Sequence, residues 1–247
     1  MSSTLTNGLG ILGCFQTGAE ILTNAEIAHR LGLNKATVSR LCKTLVTQNY
    51  LRRDPFGGFR LDPKILSLSY PVLSSMSWRQ RAIGVMVEVA EMANGNVSMS
   101  VLAGCDTVFI QTAGTPRDFP HVPEIGMTTP MPTSSPGRAL LAMLSDEERA
   151  QKFAELRRVY PEHLEAHSKA IEEAIESCNQ RGFCISFGDW RRTVFGISSP
   201  FARTPDGLCV VMTCGIPAFR TSRDEVENHL APRLASSVET LRQMDIL

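Results

Sequence analysis

The sequence predicts an α+β protein in two parts: a small helical head closed by a short hairpin, and a larger body where helices pack on a mostly antiparallel sheet. Three observations predict it. Apolar residues recur at spacings of three and four through the first sixty positions, punctuated by cap and turn residues. Strand-like alternation and helical periodicity are interleaved in the remainder. The third observation is electrostatic. Over 247 residues, 25 Lys and Arg balance 25 Asp and Glu, but residues 1–78 hold 8 basic and 4 acidic side chains and residues 79–247 hold 17 and 21. The zero net charge is therefore a cancellation between a basic head and an acidic body.

In the head, Leu5, Leu9, Leu12 and Phe15 form the stripe of a first amphipathic helix, ended by Gly18. Thr23 and Glu26 have the spacing of a capping box, which opens a short helix over 24–31 with Ile27, Ala28 and Leu31 on one face. Gly32 stands where a left-handed residue is wanted, Leu33 plugs the corner, and Asn34 caps the next helix. That helix turns Val38, Leu41, Cys42 and Leu45 inward. Its remaining face shows Lys35, Thr37, Ser39, Arg40, Lys43 and Thr44, with Ala36 beside them and no acid. Residues 50–53 and 59–61 pair across Asp54-Pro55-Phe56-Gly57-Gly58, with Arg52, Arg53 and Arg60 on the arms.

Two helices joined by a glycine turn, the second basic, followed by a basic hairpin, describe a winged helix-turn-helix. Such a helix fits the major groove, where arginine and lysine address guanine, while its N-terminus can hold a phosphate on free amides. Wing arginines suit the backbone or minor groove. Candidate DNA-binding residues are Thr23, Asn34, Lys35, Ala36, Thr37, Ser39, Arg40, Lys43, Arg52, Arg53 and Arg60, in a domain of residues 1–63.

Residues 64–78 read as a linker helix interrupted by Pro71, and residues 79–247 as the body. A further helix is expected from Trp78 to Ala93, with Ile83, Met86, Val87 and Ala90 inward. Strands are expected over 97–103, 107–112, 183–187, 194–201 and 208–213, and a long loop before Met131. Helices are expected over 137–144, over 146–160 capped by Ser145, over 165–181 stopped by Gly182, and over 222–244 opened by Ser222. Two stretches of this body suggest a ligand site. Residues 127–137, MTTPMPTSSPG, gather Thr129, Met131, Thr133, Ser134, Ser135 and Gly137 at a helix N-terminus suited to a small anion. Residues 187–201 combine Asp189, Trp190, Arg191, Arg192 and Ser198; an arginine can clamp a carboxylate and an indole can wall a ring. Each stretch also has a plain reading, a capped helix with its lead-in turn and a solvated loop before an inner strand.

The runs AEIAHRLGLNKATVSRLCKTLVTQNYLRRD and FRLDPKILSLS resemble the amino-terminal domain of the IclR family of bacterial transcription regulators. The resemblance extends over nearly the whole chain. Residues 130–142, PMPTSSPGRALLA, are similar to that family's P-M-H-A-S-A-x-G-K-A-x-L-A, and TVFGISSPF at 193–201 to its G-V-x-x-I-A-A-P-V. VMTCGIP at 211–217 is similar to the strand that follows, which adds Thr213 and Cys214 to the candidate site. The resemblance implies a GAF-like carboxy-terminal domain that binds a small effector, commonly an organic acid or aromatic catabolite. It also implies that the linker helix helps to pair the heads. Three departures stand out: Pro132 where the family has His, Ser198-Ser199 in place of two alanines, and Trp190-Arg191-Arg192. They make the pocket more polar than the family pattern, which favours an anionic ligand.

No apolar run approaches the roughly 20 residues of a membrane span. The amino-terminal stretch has no basic region before its glycine-interrupted apolar residues, so no secretory signal is expected. Seven cysteines without a CxxC or CxxH pair argue against zinc and against a disulfide framework, and read as reduced thiols of a cytoplasmic protein. There is no G-x-S-x-G, Gly-rich phosphate loop or H-E-x-x-H, so no enzyme, metal or cofactor is expected. Two alternatives compete: a thiol-based redox sensor on the same head, and a cysteine hydrolase using Cys184 or Cys214 near Asp189. The expected function is a ligand-responsive transcription regulator, a repressor or activator of a catabolic operon. It would bind a palindromic double-stranded DNA operator as a homodimer or dimer of dimers, because one short helix reads too few bases alone. Its effector would be a small carboxylate-bearing or aromatic metabolite, and no membrane takes part.

Overall fold

Local capping chemistry organises the head. In the computed structural model, which describes residues 2–16, 18–114 and 122–247, the chain divides into two units, Met1–Met76 and Ser77–Leu247. The first holds α1 (Ser3–Gly13), α2 (Asn24–Leu31), α3 (Lys35–Thr47) and the hairpin of β1 (Leu51–Arg53) and β2 (Phe59–Leu61). The Thr23 hydroxyl accepts from the Glu26 amide while the Glu26 carboxylate accepts from the Thr23 amide, a complete capping box. Gly32 ends α2 at φ 63°, and the Asn34 side chain opens α3 by accepting from the Thr37 amide at 2.8 Å. Ile11, Leu22, Ile27, Val38, Cys42, Leu51 and Phe59 form the core of this unit.

Of the stripe expected of α1, Leu12 and Phe15 are half-buried against the core, whereas Leu5 and Leu9 face solvent, 64% and 60% exposed. The helix packs through Ile11 and, at its end, Cys14, both buried, with Gly10 passing beside the Leu31 side chain. It also ends at Gly13, ahead of the expected Gly18. The hairpin is tied to the unit by two backbone bonds between Leu22 and Phe59, at 2.9 and 2.8 Å. A 3-10 turn at Pro63–Ile65 leads into α4 (Leu66–Ser75), which continues through Pro71. Proline removes one donor, but this turn is exposed and water can reach the carbonyl that loses its partner.

The second unit opens with α5 (Trp78–Arg81) and α6 (Ile83–Met92), separated at Ala82. Its buried stripe runs Ala82, Met86, Val89, Ala90, Ala93, so Val89 replaces the expected Val87 and Ile83 is only half-buried. Then follow β3 (Asn96–Ala103), β4 (Asp106–Ala113) and β5 (Thr128–Pro130), the last inside the expected loop. Four helices, α7 (Ser135–Met143), α8 (Asp146–Val159), α9 (Pro161–Ala166) and α10 (Ser168–Arg181), precede β6 (Cys184–Phe187), β7 (Val194–Arg203) and β8 (Cys209–Pro217). The chain ends with α11 (Arg223–Glu225), a π-helical turn (Val226–Leu230) and α12 (Ala231–Gln243). The wide turn, closed from the Ala231 amide to the Val226 carbonyl, lies just ahead of Pro232, whose missing amide weakens the tighter ladder.

The six strands run β5-β4-β3-β8-β7-β6, every neighbouring pair antiparallel. Period-two alternation turns Val97, Met99 and Val101 to one face of β3 and Asn96, Ser98 and Ser100 to the other. The hydroxyl-bearing face lies beneath α7, while α6 and α12 cover the opposite one. Beneath α7, Leu140, Leu141, Ile171 and Val211 pack into a core with α8, α9 and α10. Among the described residues no helix is long and apolar enough to cross a membrane.

At the start of α8, Glu148 accepts two hydrogen bonds from Arg203, at 3.1 and 2.7 Å, and forms a second capping box with Ser145. The Arg203 bonds first, then the Ser145 amide, pull its pKa from 4.5 to about 2. A carboxyl depressed by folding contributes stability above its unfolded pKa and loses it as the pH falls. Glu148→Gln should therefore flatten the decline of Tm between about pH 4.5 and about pH 2, measured by calorimetry across that window.

Candidate nucleic-acid interface and ligand pocket

The free face of α3 is built as the capping pattern requires. Lys35, Ala36, Ser39, Arg40 and Lys43 are exposed, and Thr37 is half-buried beneath the Asn34 cap. Among the described residues, Lys35, Arg40, Lys43 and Arg52 form no ion pair, so their charges are available to phosphates and base edges. Thr23 and Asn34 are exposed too, but their side-chain oxygens are engaged in capping α2 and α3. The wing arginines divide. Arg52 and Arg53 face solvent, Arg53 with its guanidinium 5.4 Å from the Phe59 ring centroid. Arg60 instead pairs at 2.5 Å with Asp54, which is buried, and so braces the wing from within rather than presenting itself as an open contact.

In the second unit a small cavity of about 50 Å³ lies between the sheet and the start of α7 and opens toward solvent. Of the expected site residues, Thr129, Ser134, Ser135, Trp190 and Thr213 line it. Asn96, Ser98, Phe109, Pro123, Pro136, Ser186, Val194, Gly196 and Gly215 join them, unforeseen from the sequence. Two of those glycines are steric requirements. A Cβ on Gly196 would stand 2.6 Å from the Ser135 hydroxyl, and one on Gly215 would stand 3.0 Å from the Asn96 amide oxygen.

The hydroxyls form two relays. Thr107 and Thr129 are bonded at 2.8 Å, Thr129 donates to Ser134 at 3.2 Å, and Ser134 donates to the Pro130 carbonyl at 2.7 Å while capping the Gly137 amide. Ser134 is thus saturated by the protein. The second relay ends open. Ser198 bonds Thr213 at 2.8 Å and donates to Ser135 at 2.8 Å, so among the described residues the Ser135 proton has no acceptor. Asn96, 2% exposed, carries a buried Nδ2 with no hydrogen-bond partner among the described residues. Two donors therefore converge on one cavity.

The other expected residues are placed elsewhere. Met131 is a core residue under α7, and Thr133 is buried, its carbonyl accepting from Ser186 at 3.4 Å. Gly137 is required by packing: a Cβ there would lie 2.3 Å from the Met131 Cα. Ser198 and Cys214 are buried behind the wall. Arg191 stacks its guanidinium 4.7 Å from the Trp190 ring centroid, and both it and Arg192 are exposed and outside the lining of this cavity. Asp189 also lies outside the lining. Its carboxylate pairs at 2.7 Å with Arg138, whose side chain is 1% exposed and whose Nε donates to the Pro132 carbonyl at 2.9 Å. One buried guanidinium thus ties together the two loops expected to form the site, a role missed in the sequence because Arg138 reads as an ordinary helix residue.

The thiols argue against the redox and hydrolase alternatives. Burial raises the pKa of Cys42 to about 11 and of Cys214 to about 12. Cys184 is raised as well, first by its contact with Cys178 and then by burial. A reactive cysteine needs a lowered pKa and access to solvent, and among the described residues no cysteine has both.

Replacing Asp189 with Asn strands the Arg138 guanidinium. Because Asp189 is 30% exposed, the expected loss is about 2–3 kcal/mol, below the value for a fully buried pair. Arg138→Met added to Asp189→Asn should restore most of it, as measured by urea unfolding; equal stability of wild type and the single variant would show that the pair contributes nothing.

Comparison with known proteins agrees with both units. Residues 4–55 match the IclR helix-turn-helix domain and residues 70–241 the bacterial transcriptional regulator IclR C-terminal domain. An IclR family transcriptional regulator from Brucella abortus is 34% identical and superposes with a TM-score of 0.86 over 99% of this chain and 92% of its own. The Pca regulon regulatory protein of Pseudomonas putida is 25% identical over 97% of this chain and 82% of its own length. An IclR homologue from Microbacterium hydrocarbonoxydans, solved in complex with 4-hydroxybenzoate, shares the fold with a TM-score of 0.71 and 21% identity over 98% of this chain and 100% of its own. With the basic helix and wing in the head and both domain patterns matched along the chain, this protein belongs to the IclR family of DNA-binding transcriptional regulators.

Proposed function

We propose that this chain is a cytoplasmic, ligand-responsive regulator whose second unit binds a small aromatic or hydroxylated carboxylic acid and thereby alters operator affinity. The observation that carries this reading is the convergence of the Ser135 hydroxyl and the Asn96 amide on a cavity walled by Phe109, Trp190 and Val194. Phe109 and Trp190 offer aromatic faces suited to the ring of such an acid. Its carboxylate accepts from Ser135 and Asn96 near the positive end of the α7 dipole. The absence of a charged side chain among the described lining residues favours a single negative charge over a dianion. The complex of the Microbacterium homologue with 4-hydroxybenzoate and the Pca regulon relative support the same ligand class.

Operator recognition is assigned to α3 and to Arg52 and Arg53 of the wing. A homodimer or a pair of dimers on a palindrome suits the exposed apolar residues Leu66, Leu68, Tyr70 and Val72 of α4, together with Leu5 and Leu9 of α1. Effector and operator binding are then linked, so the ligand shifts DNA affinity only by as much as it distinguishes the two arrangements of the heads.

Calorimetric titration of the full-length protein with benzoate, 4-hydroxybenzoate and related acids tests the pocket. Ser135→Ala and Asn96→Ala should each weaken the best binder about tenfold, the scale of a hydrogen bond to a charged group. No binding by any acid, or binding indifferent to both changes, would sink the assignment. For the head, Arg40→Ala should cost about 1–3 kcal/mol on a duplex selected from a random pool if that side chain reads a base. An equal loss on unselected DNA would make it a phosphate contact.

A further inference from the structure

The crest of the wing carries a side chain that the helix-turn-helix pattern does not account for. Phe56 is 97% exposed, yet the backbone beneath it is rigidly specified. The Asp54 carboxylate, 1% exposed, accepts from the Phe56 amide at 2.9 Å and pairs with Arg60 at 2.5 Å. The Gly57 amide closes on the Asp54 carbonyl and the Asp54 amide on the Gly58 carbonyl, each at 3.1 Å. Gly57 and Gly58 have φ of 103° and 84°, and a Cβ on Gly58 would stand 2.8 Å from the Leu22 carbonyl. A tight turn ordinarily shows polar residues at its crest; this one holds an aromatic ring out into water.

A lone exposed apolar residue is common on protein surfaces, so exposure by itself assigns nothing. The setting does. Arg52 and Arg53 stand exposed on the adjoining strand, and the only acid of the hairpin, Asp54, is turned inward onto Arg60. The hairpin's own solvent face is therefore cationic and apolar, with Glu20 of the segment before α2 near Arg60, and the hairpin follows directly from the basic face of α3. That chemistry fits a polyanion with an apolar floor between its charged rails, which describes a DNA minor groove.

We propose that Phe56 is a DNA contact: the wing lays its ring into the minor groove against deoxyribose and base edges, while Arg52 and Arg53 neutralise the flanking phosphates. This rests on the reading of the hairpin as a DNA-facing wing. Because the turn is already organised, the ring is presented without an ordering cost on binding. An apolar contact releases no counterion, so its share of the affinity is independent of salt, unlike that of the arginines. It also favours operators whose wing-side flank has a deformable minor groove.

The test uses the full-length protein on a duplex selected from a random pool, with Phe56→Ala, Phe56→Leu and the double change Arg52→Ala with Arg53→Ala. Phe56→Ala should weaken binding about tenfold or more, the scale of burying an aromatic side chain. It should leave the slope of log affinity against log salt unchanged and remove hydroxyl-radical protection of the minor groove at the flanks of the site. Phe56→Leu should keep most of the affinity and the protection, and both variants should melt like wild type. The double arginine change should lower the salt slope by about 2. If Phe56→Ala binds and protects like wild type while the arginine change lowers the slope, the role of Phe56 is overturned and the wing reading stands. If the arginine change leaves the slope untouched, the wing is not on the DNA and both readings fall.

Discussion

A guanidinium with almost no solvent of its own holds together the loops around the cavity of the second unit. Removing an arginine from water is costly and is sustained only when partners replace the hydration. Arg138 finds them in the Asp189 carboxylate and the Pro132 carbonyl, one on each of the two loops that flank the cavity. The first turn of α7 is held just as closely by sterics, since neither Gly137 nor Gly196 has room for a side chain. With α7 seated in this way, Ser135 reaches the hydroxyl relay from Thr213 and Ser198, and the cavity acquires its polar end.

The head relies on different physics. Its geometry comes from short-range bonds, the capping box at Thr23 and Glu26, the left-handed Gly32, the Asn34 cap and the Asp54 turn. The core beneath them is modest, and the Leu22–Phe59 pairing together with the burial of Leu51 and Phe59 ties the wing to the rest of the head. Local specification suits a unit that must present α3 and the wing in fixed register, because neither depends on the larger sheet. The charge distribution follows the same division. The basic excess lies on the exposed face of α3 and on the wing, while the acidic excess belongs to the body, which leaves the head as the surface that attracts a polyanion.

Legibility in the sequence tracked the range of the interactions. The caps of α2, α3 and α8 and the stop at Gly182 were readable because each is settled within a few residues. The outward turn of Leu5 and Leu9 was not, because periodicity shows that a helix has a face but not how far along its length the neighbouring helices cover that face. Arg191 and Arg192 looked like a carboxylate clamp by composition, and the backbone turn directs both to solvent.

The sequence alone determined the winged helix-turn-helix, its basic face and the mixed helix-and-sheet body, since capping bonds, left-handed glycines and period-two alternation are local physics. Only the tertiary structure decided which residues make the cavity. Asn96, Ser98 and Phe109 from the first hairpin of the sheet meet Ser135 from α7 and Trp190 from a distant loop because antiparallel pairing sets β3 beside β8, and β8 beside β7. No local rule carries that information. Such contacts depend on strand register, on close approaches that exclude a Cβ, and on a buried charge finding its counterpart across the fold.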